Sequence, residues 1–89
     1  MSNIESKQDT INDEIRAIFR IHHRGLKYEL IRHHYFLNIG DEENAFDAKS
    51  RALFYGNEME RAAQDYPDAF NCTSNMENKM KDLEILATL

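Results

Sequence analysis

One proline, Pro67, and three glycines are all that interrupt the 89 residues in the way helices find hardest to tolerate. A helix interior loses about 3 kcal/mol at proline and about 1 kcal/mol at glycine, so a chain this free of both meets little local resistance to winding. Strands have no comparable support. The chain contains no valine, and no stretch alternates apolar and polar residues with the period of two that a half-buried strand requires. The expected fold is all-α, a small bundle of three to four helices in a single domain over residues 1–89.

Residues 1–8 are polar and are expected to fray. From Asp9 or Thr10, apolar residues at Ile11, Ile15, Ile18 and Phe19 follow one helical stripe as far as Arg24. Gly25 leaves two readings open. It either occupies the left-handed position that stops a helix, or is tolerated inside one bent helix of about 28 residues. Beyond it, Leu26, Leu30, His33 or His34 and Leu37 form one stripe, while Tyr28, Ile31 and Tyr35 form another. A segment apolar over so much of its circumference meets its own core on one side and stays wet or meets a second chain on the other.

Gly40 and Asp41 mark the clearest break, glycine suiting the position after a helix end and aspartate the cap of the next. Glu42 and Glu43 then favour the positive end of a helix dipole. A long central helix is expected over about 42–65, with an apolar stripe that includes Ala45, Phe46, Leu53, Tyr55 and Met59. Ala48, Ala52 and Gly56 lie four apart, a line of small side chains that lets another helix approach closely, inside the subunit or across a dimer. Tyr66-Pro67 ends the helix, because a residue before proline is driven out of the helical region. Ser74-Asn75-Met76-Glu77 reads as a capping box opening a last helix, whose apolar positions are Met76, Met80, Leu83, Leu86 and Ala87.

Charge is unevenly distributed. Eleven Lys and Arg against sixteen Asp and Glu give a net charge of −5. Residues 16–34 nevertheless hold five cations and one acid, Glu29. Arg16, Arg20, Arg24 and Lys27 recur at helical spacing, and Tyr28 and Tyr35 lie nearby, so nucleic-acid binding through this basic stripe is the alternative function. Three acids between Gly40 and Asn44 speak against a helix-turn-helix, since they would be repelled by a phosphate backbone.

The histidines occur as His22-His23 and His33-His34. Neighbours in a helix point about 100° apart and the pairs sit about 16 Å apart on a continuous helix, so one chain does not gather four around an ion. No metal or cofactor is expected. Nucleophile–base pairs, phosphate-cradling glycines and zinc-protease spacings are missing, and Cys72 has no sequence-local base; no enzymatic activity is expected. One cysteine and no long apolar run point to a cytoplasmic protein, with no membrane span and no route to glycosylation at Asn71-Cys72-Thr73.

A core this small gains from an added partner. The function expected is therefore that of a protein-interaction module, a small regulator, inhibitor or assembly adaptor acting on a larger protein. Tyr28, Ile31, Tyr35 and Phe54 are the expected contact residues, and homodimerisation through residues 26–37 is the expected oligomeric state.

Overall fold

A computed structural model describes residues 3–70, 81–82, 84–86 and 88. Two long helices dominate: α1, Asn3–Asn38, and α2, Glu42–Asp65. A 3-10 turn follows at Pro67–Ala69, and residues 81–82 and 84–86 are again helical. No strand occurs among the described residues. The molecule is an elongated all-α bundle of 60 × 18 × 16 Å, its length set by α1, whose 36 residues extend about 54 Å. Ser74, Met76, Met80, Leu83 and Ala87 lie outside the residues whose surroundings are described.

Helix α1 runs unbroken through Gly25 and begins at Asn3, six residues before the start expected from its caps. The glycine is explained by a neighbour rather than by a turn. A Cβ placed on Gly25 would lie 2.7–2.8 Å from the ring end of Tyr55 on α2, so only a residue without a side chain allows that ring to lie against the α1 backbone.

The reversal between the helices is a Schellman motif. Gly40 takes φ 78°, the Gly40 amide donates to the Leu37 carbonyl at 3.1 Å and the Asp41 amide to that of Phe36 at 2.8 Å, which satisfies carbonyls left free by the helix end. Asp41 then caps α2 by accepting from the Asn44 amide at 3.1 Å. At the other end the Tyr66 amide still bonds to Ala62 at 2.9 Å before Pro67 stops the ladder.

The face by which α1 meets α2 keeps only part of the expected stripes, and Leu37, expected on the inner one, is exposed. Ile11 and Ile18 are exposed, whereas Asn12, Phe19, His23, Leu26, Leu30 and His33 are buried. With Arg16 these residues alternate four and three apart, the seven-residue repeat of a coiled-coil seam. The opposing line on α2 has the same rhythm: Ala45, Ala48, Ala52 and Met59 are buried and Tyr55 and Ala62 are partly so. Phe46 and Leu53, expected in that stripe, are exposed. Gly56 is buried beside Ala52, so the small-residue line works within the subunit. Phe19, Leu26, Leu30, Ala52 and Met59 form the core, with Tyr55, Ala62, Phe70 and Leu86 packed on it.

Polar residues inside the seam need partners, since a buried group left without one costs about 1–3 kcal/mol. His33 Nδ1 donates to the Ala45 carbonyl at 2.7 Å, which places a proton on that nitrogen. His23 Nε2 lies 2.6 Å from Asp82 Oδ2 and fastens the C-terminal helical residues to α1. The Arg16 Nε donates to the Ala69 carbonyl at 2.7 Å, near the Phe19–Phe70 ring pair at 4.9 Å between centroids.

Candidate interaction surface

The side of α1 turned away from α2 carries a row of large apolar residues that are exposed. Ile21, Tyr28, Ile31 and Tyr35 are 61%, 61%, 69% and 58% exposed. Their positions follow from helix geometry. At about 100° per residue they fall on the far side from Phe19, Leu26 and Leu30, so the contact that builds the hairpin cannot also cover them. Tyr35 and Phe36 meet edge-on, with centroids 5.3 Å apart.

Tyr28, Ile31 and Tyr35 thus sit on one exposed face, and Phe54 does not join them. It lies on α2, exposed, with its ring 5.6 Å from that of Tyr55, and lines an open cleft with Asp47, Ser50 and Arg51. Ile21 belongs to the face and was missed by a reading that ended a first helix at Arg24. Counting in steps of three and four backward from Tyr35 would have found it.

The cations divide as well. Arg16 is drawn inward, bonded to Ala69 and to Asp13 at 2.8 Å. Arg20, Arg24 and Lys27 remain exposed and have no ion pair or hydrogen bond among the described residues. Arg32 belongs to a different group. It holds the buried Glu29 at 2.6 Å and reaches Asp47 on α2 at 3.8 Å, while its guanidinium lies 5.4 Å from the Phe36 ring centre and 6.0 Å from that of Tyr28. Glu29 is therefore matched inside the fold, and the outward face keeps a positive edge.

Beside this face, Lys27, Leu30, Ile31 and His34 form one wall of a groove of about 310 Å³, closed on the other side by Asp82 and Ile85. The histidine pairs are split between core and surface. His23 and His33 are buried with partners, His34 is exposed, and the buried Nδ1 of His22 has no hydrogen-bond partner among the described residues. No three His, Cys, Asp or Glu side chains converge on a possible ion site among the described residues. No described helix is long and apolar enough to cross a membrane. No protein-family model matches the chain, and neither the curated proteins nor the solved structures contain a match.

Proposed function

We propose that the protein is a non-enzymatic interaction module, a small cytoplasmic regulator, inhibitor or assembly adaptor that docks on a larger protein through the outward face of α1. The observation that carries this reading is the row Ile21, Tyr28, Ile31 and Tyr35, uncovered on the side opposite the hairpin core. Each side chain leaves on the order of 100 Å² in water, so the row offers roughly 400 Å² of apolar surface, as large as the patches that mark binding sites on small monomers. Two tyrosines strengthen the reading, because their rings supply large contact area while the hydroxyl tolerates a wet rim.

The direct experiment is affinity capture from the source cells with the parent chain and with Ile31→Asp as paired baits. Ile31 makes no contribution to the core, so the variant folds. The expected result is a protein retained by the parent and lost by the variant. Identical sets of retained proteins would remove this face from the interaction.

A further inference from the structure

The outward face has a repeat as well as exposure. Ile21, Arg24, Tyr28, Ile31 and Tyr35 alternate three and four residues apart, and Ala17 continues the line upstream. That is the spacing of a coiled-coil seam, and α1 already uses a parallel one inward, through Phe19, His23, Leu26, Leu30 and His33. A helix with two seams is built to lie between two helices. One of them is α2.

Charge decides what the other can be. Arg24 stands within the outward seam, and Arg20 and Lys27 line one edge, all three exposed and without an ionic partner among the described residues. From Arg16 to Asn38 the only carboxylate is Glu29, which is buried and held by Arg32. Asp82, across the groove, is engaged by His23.

A second copy is a poor match to this seam. Laid parallel, it would set Arg24 against Arg24. Laid antiparallel about the midpoint of the seam, it would bring Ile21 to Ile31 and Arg24 to Tyr28, but Lys27 to Lys27 and Arg20 to His34, with no acid on that edge.

We propose that the outward seam of α1 receives one amphipathic helix of a partner protein, with its own three-and-four apolar repeat and with carboxylates facing Arg20, Arg24 and Lys27. This rests on the interaction reading above and specifies the chemistry of the partner. The apolar repeat fills the row from Ile21 to Tyr35, and the carboxylates neutralise cations that a self-contact would crowd together.

The test uses the full chain and a labelled synthetic helix of three heptads, Leu at the seam positions and Glu on both edges, against a twin with Lys replacing every Glu. At about 50 mM salt the Glu peptide is expected to bind roughly tenfold tighter than its twin. Arg20→Glu/Lys27→Glu should invert that preference, and Ile31→Asp should abolish binding to both, with helical content unchanged by circular dichroism. Equal binding of the two peptides, or binding of neither, overturns the proposal. So does a dimer in sedimentation equilibrium that Ile31→Asp dissociates, which would assign the seam to a second copy. So too would retention on phosphatidylserine–phosphatidylcholine vesicles or duplex DNA that the charge swap removes while the Glu peptide fails to bind. If the peptides fail but Ile31→Asp still loses a captured protein, the acidic helix is wrong and the interaction reading survives.

Discussion

Asp41 shows how one side chain sets a helix start and how acidity removes it. Its carboxylate accepts from the Asn44 side chain at 2.6 Å and from the Asn44 amide at 3.1 Å, and these two bonds hold its pKa below the usual 3.8. A depressed pKa means stabilisation that is complete above the unfolded value and is lost as pH falls through the lower folded one. Asp41→Ala should therefore melt below the parent at neutral pH and approach it in strong acid, once pH has fallen below the lowered folded value, whereas Asp41→Asn keeps a capping oxygen and shows no acid-side loss from this position. Thermal melts at both pH values check it. Gly25 gives a second test. In the parent, Gly25→Ala drives the Tyr55 ring off α1 and costs about 1 kcal/mol net; with Tyr55→Ala already in place, the same change should stabilise by about 1 kcal/mol, because only the helix preference for alanine remains. A double-mutant cycle in urea that shows no coupling would break the proposed contact. Gly40 and Asp41 are legible in the sequence because their roles are local, while Gly25 is not, because the ring that requires it lies thirty residues away.

Among the elements, the bounds of α2 can be read from Asp41 and Pro67, yet the inner face of α1 can be read from hydrophobicity only in part. Asn12 and His23 occupy seam positions that a polarity scale assigns to solvent, and Ile11, Ile18 and Leu37 look like better core residues than they are. The seven-residue repeat carries that information, since only a strict three-and-four line stays against α2 along the whole stretch of α1 that α2 spans. Two substitutions probe the packing. Gly56→Leu adds bulk where α2 is buried against its neighbour and should cost about 1–3 kcal/mol by overpacking. Arg32→Met strands the buried Glu29 and should cost about 2–3 kcal/mol, most of it recovered in Glu29→Gln/Arg32→Met. Urea unfolding of the single and double variants measures both effects; additive losses at 29 and 32 would mean that the pair is not coupled.

At the scale of the whole molecule, a body 60 Å long and 16–18 Å wide has room for only a thin core. Among the described residues, the largest fully buried side chains are Phe19, Leu26 and Met59, so stability is concentrated where the two helices, the 3-10 turn and the C-terminal helical residues meet. Phe19 stands at that junction, its ring tilted 52° against that of Phe70 and clustered with Leu26, Met59 and Leu86. Removing a buried phenylalanine costs about 3–5 kcal/mol, against about 5–10 kcal/mol for the whole fold of a chain this size. Phe19→Ala should accordingly lower the melting temperature by about 12–40 °C, at about 4–8 °C per kcal/mol for a small domain. Tyr35→Ala removes a ring of similar size from the same helix, but from its exposed outward face, and should shift melting by only a few degrees, consistent with the about ±0.5 kcal/mol usual at surface sites. Thermal melts of the two variants, followed by circular dichroism at 222 nm, a standard helix band, separate the faces. Equal shifts would mean that both rings are buried in solution, and that the outward seam is already filled before any partner arrives.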